Sequence, residues 1–416
     1  MSLYRHFPTP SDRMGIIWTV LPVKDTVVIE YGPSGTTHYG AETIMDLGID
    51  VDKNLFCTHV DQDDIIMGDI TRLENAIYEL EKQYSPKCIF VVGSSLTSVI
   101  AADITGLCLS IQDNVSSLLI PFEHGGFRGD YSLGIEDALV SLAENITAEA
   151  GETEKGVYNI IGACYDSYRI GSDVEEIREI MWKCFGMKAG CVIPYDCSFD
   201  EVKNCASAEL SIVLREEGVK AAKVIAGKGN CPYIFSTPYG YNGTLRFIEQ
   251  MAEVLGMKPD EGYVSFIKSK ANHLEKRAMQ IRFSGLDVSA VIEGNLAVVK
   301  GLSSFLKEEV GFSISCGICT HSLRNMSVQE DYIKHFLNER EKLNLLKGCR
   351  DCLVLASDPT LFEVDSSNVK LKTTYPSFGG ISVATHLPFM GYKGADYIME
   401  FVEDIVNRVT IKTMMQ

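Results

Sequence analysis

The sequence is short of cations relative to acids, and it has no long apolar run. Lysine and arginine number 38 against 56 aspartates and glutamates, giving a formal net charge of -18. Binding to a phosphate backbone depends on clustered lysine and arginine, so we expect no nucleic-acid partner. No apolar stretch reaches the roughly 18 residues that a membrane helix needs, so we expect no membrane partner either.

Export signals and nucleotide-binding motifs are also missing. Residues 1–13 carry prolines and charges where a secretory signal would need an apolar stretch, so we expect a cytoplasmic protein. No Gly-x-Gly-x-x-Gly or Walker pattern occurs, and nucleotide binding is therefore not supported. In a chain without an export signal, the thirteen cysteines are expected to be reduced thiols or metal ligands.

The order of sequence patterns predicts the fold class. Short β-branched runs alternate with longer helical patterns along nearly the whole chain, which is typical of an α/β fold with parallel sheets and crossover helices. A segment rich in Glu, Thr and Gly at 148–156 has no periodicity and predicts a linker. We expect three Rossmann-like domains, at 1–150 (joined by the C-terminal segment 375–416), 151–285 and 286–374.

An ordered series of motifs resembles the nitrogenase component 1 superfamily, in particular the α-type subunit of the molybdenum-iron protein. The strand and turn TVVIEYGPSGTTHY at 26–39 is followed by FVVGSSLTSVIAADI at 90–104. Next come IPFEHGGFRGDYSLG at 120–134, Pro-Tyr-Gly at 238–240 and Met-Gly-Tyr-Lys-Gly at 390–394. The resemblance covers nearly the full chain, and its specificity lies in the order of the series.

The resemblance implies a subunit of three Rossmann-like domains, paired with a homologous component 1 subunit in a homodimer or heterotetramer. It implies an oxidoreductase that receives electrons from an ATP-dependent iron protein and acts on a small-molecule substrate. It also implies a central cavity between the three domains.

The cluster ligands of the family are replaced in this sequence. Thr36 and Ser95 stand where the family has cysteines, and hydroxyls are poor iron-sulfur ligands because alcohols are hard to deprotonate. Asp12 could supply a carboxylate, but alone it would not hold a cubane. The Cys and His that anchor the nitrogenase cofactor fall at Arg215 and Met390, neither of which can repeat that role. The cofactor is therefore unknown, and a [4Fe-4S] cluster would be shared with or held by a partner chain.

Loop residues that the resemblance places near the cavity make up the candidate site. His38 and His124 are the catalytic candidates, since imidazole titrates near neutrality, although each could be a structural histidine. Arg128 lies either near the cofactor loop or against a carboxylate across a domain boundary. We assign no metal ligand. The candidate cofactor-binding residues are Gly35, Thr36, Ser95, Arg128, Arg215 and Tyr239.

Arg215 has two open interpretations. The segment 206–215 is predicted as a helix, and Arg215 would then either meet an anionic substrate or pair with Glu216 or Glu217 on the helix surface.

Two CxxC pairs, Cys316 with Cys319 and Cys349 with Cys352, suggest a four-cysteine metal site at first sight. We expect Cys316 to follow a strand, a helix over 327–346 to return the chain, and Cys352 to begin the next parallel strand. This topology places the two pairs at opposite edges of the sheet and argues against a shared site.

Two classes of function follow from these patterns. The first is a subunit of a nitrogenase-like reductase complex with a central cavity for substrate or cofactor. The alternative is a non-redox scaffold, or a carrier or binding protein for an organometallic or tetrapyrrole-like molecule, that has lost the cluster chemistry.

Overall fold

The computed structural model describes residues 8–49, 54–68, 70–323, 326, 328–336, 338–377 and 386–415. In this part of the chain three sheets follow one another along the sequence, and strand pairing within each is parallel. The predicted α/β class with parallel sheets is confirmed. Within the same part of the chain, none of the helices has the length and apolar character needed to cross a membrane.

The first unit contains a sheet of four strands in the order β2-β1-β3-β4. Every residue of β1 and β3 is buried, as expected when helices cover both faces of a parallel sheet. The elements of the unit are α1 (Asp12–Val20), β1 (Thr26–Tyr31), α2 (Ser34–Asp46), β2 (Leu55–Cys57), α3 (Gln62–Met67), α4 (Thr71–Tyr84), β3 (Cys88–Gly93), α5 (Ser95–Val99), α6 (Ile104–Ile111), β4 (Leu118–Phe122) and α7 (Tyr131–Asn145).

The second unit contains four strands in the order β6-β5-β7-β8. Its elements are β5 (Glu154–Ala163), α8 (Ile170–Phe185), β6 (Lys188–Pro194), α9 (Phe199–Asn204), β7 (Ala208–Val213), α10 (Val219–Lys228), β8 (Tyr233–Phe235), α11 (Tyr241–Leu255) and α12 (Glu261–Phe283). The helix predicted over 206–215 is wrong, because strand β7 occupies most of it. Ala, Glu and Leu favour a helix there, but pairing with β5 and β8 decides the conformation.

The third unit contains five strands in the order β11-β10-β9-β12-β13. Its elements are β9 (Ser289–Gly294), α13 (Leu296–Ser304), β10 (Ser313–Cys319), β11 (Ile333–Lys334), α14 (Glu339–Gly348), β12 (Leu353–Ala356), α15 (Asp358–Glu363), β13 (Val369–Lys372) and α16 (Gly391–Met414). The helix predicted over 327–346 is shorter and begins later, since α14 starts at Glu339 after the short strand β11.

The C-terminal helix α16 packs against α8, α11, β12 and β13. Its buried residues Ile398, Val402 and Ile405 belong to the core that the second and third units share. The segment 375–416 was expected to join the first domain. Tyr375 does pack against Trp18 of α1, with ring centroids 5.7 Å apart, but α16 lies with the other two units. The domain boundaries themselves stay predictions.

The cysteines of the third unit are arranged differently from our expectation. Cys316 lies within β10 and not after a strand, and it packs in one apolar cluster with Cys349 and Cys352. Cys319, the CxxC partner of Cys316, belongs to a different cluster. The predicted placement of the two pairs at opposite edges is therefore wrong for Cys316, because alternate residues of a strand face opposite sides of its sheet.

Candidate functional site

A cavity of about 340 Å³ lies where the three units meet. Its walls come from the N-terminal segment and α1, from the start of α7, from Asp166 of the second unit, and from α14 and the carboxyl ends of third-sheet strands. In open α/β sheets, ligands bind outside the carboxyl ends of strands where the strand order reverses, and the third sheet reverses at β9. The volume suits a small molecule. Polar residues that line it include Arg13, Asp166, Glu293, Cys319, Thr320, His335 and Lys342.

Two glycines allow α1 and α7 to form one wall of this cavity. A Cβ on Gly15 would lie 2.0 Å from the carbonyl oxygen of Tyr131, and a Cβ on Gly134 would lie 1.8 Å from that of Asp12. Because glycine has no Cβ, the two helices approach backbone to backbone. The crossing brings Arg13, which pairs with buried Glu30, and Tyr131 to the same cavity.

Glu293 lies near the carboxyl end of β9 and is the central carboxylate of the third-sheet wall. Its side chain is buried, pairs with Lys342 of α14, and accepts hydrogen bonds from the Ser357 amide at 3.0 Å and hydroxyl at 2.6 Å. Burial alone would raise the pKa of Glu293, but Lys342 and Ser357 hold that pKa below its usual value. The carboxylate is therefore charged and fixes α14 against the sheet.

A buried ion cluster lies behind the cavity wall. Arg215 donates to both carboxylate oxygens of Glu217, at 2.9 and 3.0 Å, and to Asp166 at 2.6 Å. All three side chains are at most 4% exposed. Burial opposes the charge of Glu217, yet Arg215 lowers the pKa of that carboxyl to about 2. Asn295, from the third unit, donates to Asp166 at 3.5 Å, so the cluster joins two units.

Hydrogen bonds also join the first and third units beside the cavity. The hydroxyls of Tyr131 and Thr320 lie 2.6 Å apart, and the Ser322 amide donates to Asp130 at 2.8 Å. Because Tyr131 and Thr320 both line the cavity, its shape depends on how the units are held together.

Replacing Tyr131 with phenylalanine is expected to lower the free energy of unfolding by about 1 kcal/mol, since a buried hydrogen bond is lost and the Thr320 hydroxyl is left behind. Urea denaturation measures this. Tyr84→Phe is the matched control, because Tyr84 is 50% exposed and removing its hydroxyl should change the free energy of unfolding little. Equal losses in the two variants would show that the bond between the units contributes nothing.

None of the eight candidate residues is among those that line this cavity, and their assignment to a site stays a prediction. Arg215 follows β7 and is paired with Asp166 and Glu217. The expected pairing with Glu217 is present, but it is buried and not on a helix surface, and the guanidinium does not face a guest. Tyr239 is buried and its ring packs so closely that a Cβ on Gly301 would lie 2.0 Å from it. It lines a separate depression of about 230 Å³.

The remaining candidates lie along the carboxyl edge of the first sheet, at or near the surface. Gly35, Thr36 and His38 begin α2, where the Thr36 hydroxyl donates to Pro33 O at 2.8 Å and His38 is 3.5 Å from Glu42. Ser95 follows β3, and its hydroxyl donates to Gly125 O at 2.6 Å.

His124 and Arg128 follow β4 at the same edge. His124 is exposed, and Arg128 pairs with Asp137 of α7, within its own unit. Because β1, β3 and β4 are neighbours, the structure brings these loops side by side, but it separates them from Arg215 and Tyr239.

The ligands on this edge do not fit an iron-sulfur cluster. The hydroxyls of Thr36 and Ser95 each donate a hydrogen bond to a backbone carbonyl oxygen. In the described ranges, no group of three or more His, Cys, Asp or Glu side chains could hold a metal ion. A cluster held by this chain alone therefore has no support in its described residues.

Two cavity residues, Glu293 and Lys342, were not predicted from the sequence, for different reasons. Glu293 could have been found, because a carboxylate that ends an apolar strand before a Gly-Asn turn is typical of a site. Lys342 could not, because its pairing depends on where α14 begins and how it docks.

Comparisons with known proteins agree with this architecture. The sequence pattern of nitrogenase component 1 type oxidoreductases matches residues 11–410. A nitrogenase iron-molybdenum cofactor biosynthesis protein NifE from Nostoc sp. is 24% identical over 402 residues, covering 91% of this chain and 79% of that protein. One subunit of the light-independent protochlorophyllide reductase from Prosthecochloris aestuarii is 24% identical, and the match covers 93% of this chain and 76% of that subunit.

Solved structures show the same fold. A structure described as nitrogenase Cp1 at pH 6.5 superimposes with a TM-score of 0.79 at 14% sequence identity, covering 98% of this chain and 94% of that one. With the three parallel sheets and a family pattern that spans nearly the whole sequence, this chain belongs to the nitrogenase component 1 type oxidoreductase family.

Proposed function

We propose that this chain is the guest-binding subunit of a nitrogenase-like reductase complex. Its cavity holds a small-molecule substrate or cofactor, and a homologous component 1 subunit supplies the cysteines of any [4Fe-4S] cluster. An ATP-dependent iron protein delivers electrons to that partner. Within this chain, paired charges such as Glu293 with Lys342 shape the cavity walls and keep them rigid.

One observation carries the proposal: the cavity is present while the cluster ligands are replaced. A cavity walled by all three units needs the fold to be kept. The edge where Thr36 and Ser95 lie offers hydroxyls in place of thiolates, which suits a chain that leaves cluster binding to another subunit.

Exposed apolar side chains at this edge support a partner subunit. Ile66 and Met67, which end α3, are both 78% exposed, and Val99 of α5 is 71% exposed. Their sequence neighbours Gly68 and Ile100 line one shallow depression, so the three side chains belong to one surface. We call Ile66, Met67 and Val99 the apolar edge. Exposed apolar patches mark protein interaction sites, and we assign this one to the homologous subunit.

Asp12, the first residue of α1, is a buried carboxylate in the same unit. Its amide donates to Gly129 O at 3.1 Å, which places it beneath the loop of Arg128. Both carboxylate oxygens are buried without a hydrogen-bond partner in the described structure. Burial raises the pKa of Asp12, and backbone groups of Gly129 and Arg128, together with the positive charge of Arg128, offset only part of that rise. An unpaired buried carboxylate is costly, so a cation or cluster brought by the partner would stabilise it.

Met67→Glu is expected to weaken assembly with the partner subunit at least about tenfold, because a charge would be buried in the apolar edge. Sedimentation of the chain with its co-expressed partner measures this. Met414→Glu is the matched control, since Met414 is 80% exposed at the far end of α16. If both variants assemble like the wild type, the apolar edge is not the interface.

A second candidate is a non-redox scaffold or carrier. It is favoured by the replaced cluster ligands and by the relative whose name is that of a cofactor biosynthesis protein. Iron and acid-labile sulfide in the anaerobically purified complex distinguish the two. A complex that contains a reducible cluster supports the reductase, whereas a complex with a guest but no cluster supports the scaffold.

A further inference from the structure

Cys349 and Cys352 lie in the turn between α14 and β12 and belong to one apolar cluster. The Cys349 thiol donates to Leu345 O at 3.4 Å, and the Cys352 thiol donates to Arg350 O at 3.1 Å. The two residues are 8% and 4% exposed, while Arg350 between them has a 61% exposed side chain. The pair therefore lies just below a surface turn.

The turn is held in one conformation by its neighbours. The Asn368 side chain donates to Cys349 O and accepts from the Cys352 amide, both at 3.0 Å. Asp351 adopts a left-handed conformation, with φ of 53°, and its amide donates to Ser367 at 3.2 Å. A turn fixed on both sides holds the two cysteines, three positions apart in the sequence, in the same apolar cluster, which favours a reaction between them.

The two thiols also differ in acidity. Their mutual interaction raises the pKa of Cys349 and lowers the pKa of Cys352. Cys352 is therefore the more acidic thiol of the pair, and it reacts as the thiolate, which is the reactive form of cysteine.

We propose that Cys349 and Cys352 form a redox-active dithiol that a hydroperoxide oxidises to a disulfide. The Cys352 thiolate attacks one peroxide oxygen, the O–O bond breaks, and a sulfenic acid and hydroxide form. Cys349 then attacks the Cys352 sulfur, forming the S–S bond and releasing water with its own proton. The two cysteines lose two electrons in total, and the peroxide gains them. Because both sulfurs are nearly buried, a small oxidant is required.

The disulfide would act on the cavity wall, although the proposal does not depend on the proposed function. Leu346 of α14 lines the cavity and packs in the same apolar cluster as the two cysteines. Oxidation ties the end of α14 to the start of β12, so α14 amides should exchange hydrogen more slowly in the oxidised protein.

The test treats the reduced full-length chain with hydrogen peroxide, blocks remaining thiols with N-ethylmaleimide, and maps the peptides by mass spectrometry. Cys57 is the internal control, because it is partly exposed while the other twelve cysteines are buried. We expect the Cys349–Cys352 disulfide to form at least about tenfold faster than Cys57 is oxidised, as thiolate character outweighs exposure. Oxidation of Cys57 first, or a disulfide from Cys352 to Cys316 in the wild type, would overturn the proposal.

A pair of variants separates the two steps. Cys349→Ser should leave a sulfenic acid on Cys352, which dimedone traps, whereas Cys57→Ser should form the disulfide at the wild-type rate. If Cys349→Ser gives no dimedone adduct at Cys352, then Cys352 is not the attacking thiolate and the proposal fails.

Discussion

Arg215→Met is expected to lower the free energy of unfolding by about 3–5 kcal/mol, because it leaves buried Asp166 without its cation and leaves Glu217 with only His321, at 3.8 Å, as an ionic partner. Arg215 is 2% exposed and is the shared partner of Asp166 and Glu217. Guanidinium chloride denaturation measures the change. Removing one partner of a buried ion pair is strongly destabilising, because the other partner stays buried as a poorly compensated charge. Replacing the whole pair with apolar residues is often nearly neutral. The expected loss of stability therefore measures the carboxylates that remain.

Two further variants test that explanation. Arg408→Met removes an arginine paired with Asp404 one helical turn away, and both side chains are about half exposed, at 50% and 46%, so it should cost less than about 0.5 kcal/mol. Adding Asp166→Asn and Glu217→Gln to Arg215→Met should recover part of the lost stability. If Arg215→Met costs no more than Arg408→Met, the buried cluster does not hold the units together.

The same cluster predicts a pH dependence. The folded-state pKa of Glu217 is about 2, below its ordinary value of 4.5. Its contribution is therefore complete above about pH 4.5 and is lost as the pH falls through about 2. The Glu217→Gln variant should lose less stability than the wild type over this interval in acid titrations followed by circular dichroism.

Leu343→Trp is expected to remove the guest from the cavity, with binding weakened at least about tenfold, because the larger ring occupies the space of the ligand. Leu343 lies on α14 and lines the cavity. Native mass spectrometry of the anaerobically purified complex measures the guest as mass beyond that of the protein chains.

Asn344→Trp is the matched control on the same helix, since Asn344 is exposed. It adds the same ring without entering the cavity, and it should keep the guest. A wild-type complex without any guest, or a Leu343→Trp complex that retains it, would contradict the assignment of the cavity.

Much of the fold was predictable from local patterns. The alternation of β-branched runs with helical patterns predicted parallel sheets, and strands β1 (Thr26–Tyr31) and β3 (Cys88–Gly93) are two of those runs. Both strands are mostly apolar and buried along their whole length, as in a parallel sheet covered on both faces, and the one charged residue of β1, Glu30, is paired with Arg13. Strand β7 was not predictable in this way. Its residues favour a helix locally, and pairing with neighbouring strands overrides that preference.

The site was less predictable than the fold. The loops of Thr36, Ser95 and His124 do gather at one edge, because parallel strands end on the same side of their sheet. The sequence could not show that the cavity is lined by other residues and not by these loops. Its walls combine Tyr131, Glu293 and Lys342 from separate elements, and only the packing of the units brings them together.

The content of iron and acid-labile sulfide, measured without oxygen together with an EPR spectrum after dithionite, tests the central claim most directly. The chain should be compared expressed alone and with its partner subunit. We predict little iron in the chain alone, and about four irons per cluster with a reduced-cluster signal in the complex. About four irons per chain in the isolated, folded protein would contradict the claim that the cluster ligands belong to the partner.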